Sequence, residues 1–396
     1  MSEISFGHVS LSTLRRWCLV VAGAWGLICI FCWIFAAQQF YRSYLFAWFF
    51  WLGMSLGSLG IVMLHHLTGG EWGIVTRRFG EHAALCVGLM FMLFIPIAIG
   101  VPSLYDWAKP ERLKVDAILR HEQPLLNWGF FVVRAVIYLT VWTAMAWYLR
   151  SASLRHDKDR DPAVARHAHD VSAMGMVVLF ISMSLAALDW IMSRDSHWVS
   201  TVFGLVIICG QAVAGLCLMI VMLGVMAKRE PFRGVLRPDQ FNDLGNVLLT
   251  LVILWTYMSF AQLLVIWMGN RQDEITWYVA RLSNGWWWIG LLLLLFHFFV
   301  PFCVLLMREA KRSPRLMPWF CAGLLVLRVL DIYWTVAPSG GEINPLLHHV
   351  LNWMDFVFPI GMGALWVAFF LWLMEGHPLI VEPAAVVNAE LHDAES

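Results

Sequence analysis

Charge is scarce in this chain. Lys, Arg, Asp and Glu make up 14% of its 396 residues, and 27 basic against 27 acidic side chains give a formal net charge of +0. A balance of that kind invites no nucleic-acid partner. Long polar segments are missing too. No connection between apolar runs exceeds roughly 25 residues, too few to fold as an extramembrane domain. The eight cysteines all fall inside apolar runs. Cys29 and Cys32 form a C-x-x-C, but within an apolar stretch and without partner cysteines. They read as two small apolar residues. There is no C-x-x-C-H for covalent haem and no cysteine set for an iron–sulfur cluster. If the chain takes part in redox chemistry, such cofactors must sit on partner subunits.

What is present is apolar: 60% of the residues are hydrophobic, and Trp is abundant at 23. Long apolar runs mean membrane spans, and interfacial belts favour Trp. A span needs roughly 20 apolar residues. The runs 17–37, 44–67, 82–104, 128–149, 171–192, 200–226, 244–268, 286–307, 317–337 and 353–374 meet that requirement. The expected fold is all-α and polytopic, with a short N-terminal tail (1–16) and an acidic tail (375–396). Arg15 and Arg16 before the first run mimic a signal peptide. That run is too long and lacks a clear cleavage site, so it is kept as a helix. Lys and Arg are about twice as frequent in the connections on the N-terminal side, which places both termini in the cytoplasm. The far-side connection 105–127 mixes acids and bases. It reads as a docking surface or as an ordinary solvated loop.

Against this background the intramembrane polar groups stand out. Arg328 and Asp331 lie three residues apart in the ninth run. An ionisable group at mid-membrane costs about 2.5–3.5 kcal/mol on insertion scales, and an i,i+3 pair offsets part of that. Asp189 lies near the end of the fifth run as Asp331 lies near the end of the ninth. Runs two to five (about 44–192) and six to nine (about 200–337) then become two four-helix bundles with matching aspartates, a hint of internal duplication. Arg134 enters the fourth run to about 9 Å at 1.5 Å per residue. It should meet Asp189, as a functional pair or as glue between helices.

His297 has a proline four residues on, at Pro301, and Asp355 repeats the pattern with Pro359. Such a proline frees a carbonyl that a hydrated pocket or a neighbouring hydroxyl must satisfy. His65, His66, Glu81 and His82 cluster at the N-terminal-side ends of runs two and three. Without a second histidine pair across the membrane they read as a proton entrance or as interfacial polar groups, not as haem ligands. Gln211 and Gln262 could extend a hydrogen-bonded chain or serve as interhelical glue.

Several runs resemble one family. They are Leu188-Asp189-Trp190-Ile191-Met192-Ser193, His197-Trp198-Val199-Ser200-Thr201, Leu244-Gly245-Asn246, Trp255-Thr256-Tyr257-Met258-Ser259-Phe260-Ala261-Gln262, Ile266-Trp267-Met268-Gly269-Asn270-Arg271 and Arg328-Val329-Leu330-Asp331-Ile332-Tyr333-Trp334. Together they are similar to the second polytopic "quinone-binding" membrane subunit of alternative complex III, related to polysulfide-reductase-type membrane anchors. The resemblance covers most of 174–338 well and the first runs more loosely.

It implies a quinol:electron-acceptor oxidoreductase complex in a bacterial inner membrane. The implied partners are a homologous polytopic subunit, an iron–sulfur subunit and c-type cytochrome subunits. Electrons then pass to a cytochrome c or a terminal oxidase. Haem c and iron–sulfur clusters belong to those partners, and this chain is expected to hold no cofactor and no metal. In the family the quinol site is usually placed in the other membrane subunit. The subunit resembled here is the one for which a proton path is discussed.

Three readings follow. One is a cofactor-free subunit whose buried polar groups carry protons, with Asp189, His297, Asp331 and Asp355 as carriers and Arg134 and Arg328 tuning the carboxylates. Another is a structural scaffold in which the same charges only fix helix packing. The third is a stand-alone secondary transporter.

Overall fold

The structure, a computed structural model, describes residues 5–6, 9–159, 161–195, 197–227, 229, 232–234, 236–283, 285–339, 352–375, 377 and 379. The acidic tail beyond 379 and most of the segment before residue 9 lie outside the described residues. Apart from one two-residue strand pairing (Ser5–Phe6 with Val9–Ser10), regular structure among the described residues is helical. Nine of the described helices are long and apolar enough to cross a membrane, and a bent pair makes a tenth. The chain is an all-α, multi-pass membrane protein.

Each expected span has its counterpart. In order they are span 1 (Leu11–Phe35), span 2 (Ala37–Thr68), span 3 (Arg77–Met92 with Ile95–Leu104), span 4 (Trp128–Asp159), span 5 (Pro162–Trp190), span 6 (Phe203–Met226), span 7 (Pro238–Gly269), span 8 (Trp286–Leu306), span 9 (Leu316–Val336) and span 10 (Trp353–Met374). The near face is the one where span 1 starts, and the far face is the one where it ends.

Spans 2, 3, 4 and 5 pack pairwise and close a ring, since span 5 returns to span 2. Spans 6, 7, 8 and 9 do the same, with span 9 returning to span 6. Spans 1 and 10 pack on each other, and span 10 leans on span 2. The bundles meet along spans 2 and 6, the two most deeply buried helices. Small residues allow this. A Cβ on Gly57 would strike the Gln211 main chain, and one on Gly215 would strike the main chain of Gly57. Without a hydrophobic drive between helices in lipid, such close backbone approach is how spans gain packing.

Two spans depart from the simple reading. Span 3, expected as one run over 82–104, starts at Arg77 and bends by 59° between Met92 and Ile95. Pro96 sits just past the break. Phe94 N–H bonds back only three residues, to Phe91 O. The stranded carbonyls find partners on span 2: Trp48 Nε1 donates to Met90 O at 2.8 Å and Tyr44 Oη donates to Leu93 O at 2.9 Å. In lipid no other donor is on offer. The bend leaves an apolar cavity of about 300 Å³ lined by Trp25, Trp33, Tyr41, Tyr44 and Pro96 among others.

Span 8 meets Pro301 differently. The segment Leu294–Phe299 widens to a π-helix, with Val300 N–H reaching Leu295 O five residues back. A π turn is the usual way a helix accommodates such an irregularity without ending.

Candidate functional site

The polar groups that stand out in the sequence fall into four places. The first is the far end of the first bundle. Arg134 on span 4 forks onto Asp189 on span 5, with Nε to Oδ2 at 2.8 Å and Nη2 to Oδ1 at 2.6 Å. Tyr138 Oη adds a third donor at 3.3 Å, and Arg134 Nη1 donates to Leu125 O at 2.9 Å. The Phe130 ring covers the guanidinium at 4.4 Å. The neighbouring-helix pair expected from depth is therefore present, and its geometry is fixed by two helices, a loop carbonyl and a ring. A bidentate pair of this kind is strong and directional.

The second place is the interior of the second bundle. Arg328 pairs with Asp331 on the same face of span 9. Both are buried. The sequence makes room for the guanidinium at Gly210 of span 6, where any Cβ would collide with it. Thr335 Oγ1 donates to the Asp331 main-chain carbonyl at 2.9 Å. On span 8 the π turn carries His297 inward, at 0% exposure. Its ring stands edge-on to Trp255 of span 7, with centroids 4.2 Å apart. Among the described residues neither ring nitrogen has a hydrogen-bond partner. In the sequence Trp255 belongs only to a family-like run. Its role as the wall of this cluster cannot be read from helix periodicity alone.

The third place is a polar cavity of about 120 Å³ on the far face, between the ends of spans 2, 8, 9 and 10. Asp355 lines it. Its carboxylate accepts from Ser43 Oγ (2.5 Å), Gln39 Nε2 (3.3 Å), Tyr333 Oη (3.1 Å) and Asn352 N (3.2 Å). Arg42 and Arg194 line the same cavity. His297 does not, so the two proline-linked polar groups lie in separate environments. Trp51 Nε1 donates to Pro359 O at 2.8 Å, tying span 10 to span 2.

The fourth is the near end of the first bundle. Glu81 is held by Arg77 Nε and Arg78 Nη1, each at 2.8 Å. Arg78 also pairs with Asp157. Ser153 Oγ accepts from both arginines, at 2.7 and 2.9 Å. His82 Nδ1 sits on Arg78 O, and its Nε2 faces Arg150 Nη2 at 3.3 Å. His66 Nδ1 lies 2.8 Å from Ser172 Oγ of span 5. His65 Nε2 is engaged by Gly70 O at 3.1 Å, in the turn after span 2. Among the described residues no group of three or more His, Cys, Asp or Glu is placed to hold a metal.

The two glutamines stand apart from these clusters. Gln211 lies against Gly53 where the bundles meet. Gln262 reaches Tyr278 on the far-face helix Gln272–Leu282.

Two arginines that count in the sequence only toward loop charge are buried. Arg194 donates to Val336 O at 2.5 Å and Ser339 O at 2.7 Å. Arg281 donates to Thr335 O at 2.6 Å, Ser339 Oγ at 2.6 Å and Trp334 O at 3.1 Å. They staple the connections after spans 5 and 7 onto the end of span 9. Burial pulls the Arg281 guanidinium down to about 9, and Asp195 offsets only part of that. Further out, Asp116 caps the helix Ala117–Glu122 and meets His197 Nε2 at 2.9 Å. Burial alone would raise its carboxyl; the Leu119 and Ile118 amides and His197 outweigh that and hold it below the ordinary carboxylate value.

No protein-family model matches the chain, and no curated protein matches it.

Proposed function

We propose that this chain is a cofactor-free membrane subunit of a quinol-oxidising respiratory complex of the alternative complex III type. It sits in a bacterial inner membrane with both termini cytoplasmic. Its partners carry the haem c and iron–sulfur clusters on the far face, and it offers protons a polar route through the second bundle. The family-like runs between 174 and 338 support the setting. The observation that carries the proton reading is His297, buried at mid-span with both ring nitrogens open, in the same bundle as the Arg328–Asp331 pair.

The geometry separates the carboxylates. Asp189 takes a bidentate arginine and a tyrosine, and Glu81 takes two arginines. A carboxylate so held is locked in place by charge-assisted bonds. These two favour a scaffold role for the first bundle, with proton traffic left to His297, Asp331 and Asp355. Arg328 engages only one Asp331 oxygen among the described contacts.

The subunits that co-purify with the chain, with their visible haem spectrum, test the setting. Asp331→Asn tests the route. In the reconstituted complex, proton release per electron should fall while assembly and haem content persist. Unchanged coupling in an intact complex would leave the second bundle a scaffold as well. Tolerance of a paired Arg328→Leu, Asp331→Leu change would point the same way.

A further inference from the structure

We infer that the interior of the second bundle is a water-binding site, in which water joins His297 to Trp255 and Arg328. Three helices contribute to it. His297 comes from the π turn of span 8, Trp255 from span 7 and Arg328 from span 9. The π turn packs against both neighbouring spans. The imidazole and indole rings are in contact, and Arg328 is a buried residue of span 9, which packs on the same π turn. Four polar atoms here have no partner among the described residues: His297 Nδ1 and Nε2, Trp255 Nε1 and Arg328 Nε. His297 and Arg328 are at 0% and 2% exposure.

The donor and acceptor inventory selects the ligand. A neutral imidazole has one N–H and one lone pair, and the indole and guanidinium Nε each bring one N–H. The open set is thus three donors and one acceptor. A lipid chain or any apolar occupant would serve none of them. An anion would take the donors but leave the imidazole lone pair unserved, beside the Asp331 carboxylate. Water accepts twice and donates twice, so two molecules close the set. Buried polar groups in native proteins are commonly satisfied this way. The π turn supplies both the inward direction of His297 and a wider helical radius beside the cluster. This site would serve the proton route proposed above, and it stands on geometry whether or not protons move.

X-ray radiolysis in water tests it on the protein purified from membranes, because hydroxyl radicals formed from a bound water oxidise the side chain next to it. Trp142 and Trp366 are the dry references. Both are buried, and their indole N–H groups donate to Ser182 Oγ (2.8 Å) and Ser55 Oγ (2.9 Å). Trp255 should be oxidised several-fold faster than either reference, and His297→Phe should bring it down to their level. Oxidation of Trp255 no faster than Trp142 and Trp366 in the unmodified protein would overturn the site. Fast oxidation of Trp255 with normal proton coupling in Asp331→Asn would keep the water and remove the proton route, so the two claims fail separately.

Discussion

Arg134 and Asp189 show what a single intramembrane ion pair does when it is built well. Two parallel bonds, a tyrosine donor and an aromatic cover leave the side chains only 15% and 10% exposed. Removing one partner strands the other in a dry place, which typically costs on the order of 3–5 kcal/mol, whereas replacing both by apolar groups is often neutral. Arg134→Leu should therefore lower the unfolding free energy in detergent by about 3 kcal/mol given the residual exposure. Arg134→Leu with Asp189→Leu should return most of it. A double variant no better than the single one would mean the pair has a role beyond mutual neutralisation. This pair could be read in the sequence from helical rise alone. The buried staples Arg194 and Arg281 could not, because a charge count assigns loop arginines to solvent. What hides them is the main-chain carbonyls at the end of span 9, whose position no periodicity reports.

At the scale of the helix, apolar run length located all ten spans but not their interruptions. Pro96 and Pro301 look alike in sequence, each inside a long apolar run. One accompanies a 59° bend and the other a π turn. The difference lies in the neighbours. Span 2 offers Trp48 and Tyr44 as donors to the carbonyls freed by the bend in span 3, and the residues of span 8 instead re-pair within the helix.

Glycine is similarly ambiguous in sequence. Gly57 and Gly60 are one turn apart on span 2, yet only Gly57 sits at the crossing with span 6. A Cβ at Gly57 meets main chain, and one at Gly60 meets only Leu179 Cδ2 at 3.6 Å. Gly57→Ala should destabilise by roughly 1–3 kcal/mol through overpacking. Gly60→Ala should be neutral or gain up to about 1 kcal/mol from helix propensity. Chemical denaturation in micelles compares them directly. Equal effects would mean that the two bundles are not held together at this crossing.

For the molecule as a whole, the two rings of four helices give the matching of Asp189 with Asp331 a structural basis, since each lies on the fourth helix of its ring. The match stops there. Asp189 takes its arginine from a neighbouring helix and Asp331 takes its own from one turn back. Among the described residues, only the second bundle has a buried histidine with both ring nitrogens open. If an ancestral bundle was duplicated, its polar interior has since diverged, one half toward fixed pairs and the other toward an open cluster.

Direction in the membrane decides how that asymmetry can be used. Ten crossings return the chain to the face where it began, and in the proposed orientation, argued from the lysine and arginine bias, that face is the cytoplasmic one. Partners bearing haem and iron–sulfur clusters would then dock on the far face, where the cavity holding Asp355 opens and where the exposed helices Pro110–Val115 and Ala117–Glu122 lie. Lys114 on the far face and Lys158 on the near face are both exposed. Among the native cysteines only Cys303 is exposed, and it lies within span 8. A membrane-impermeant maleimide should label Lys114→Cys in intact cells and Lys158→Cys only in inverted vesicles. The opposite pattern would turn the Asp355 cavity toward the cytoplasm, and with it the face on which redox partners could assemble.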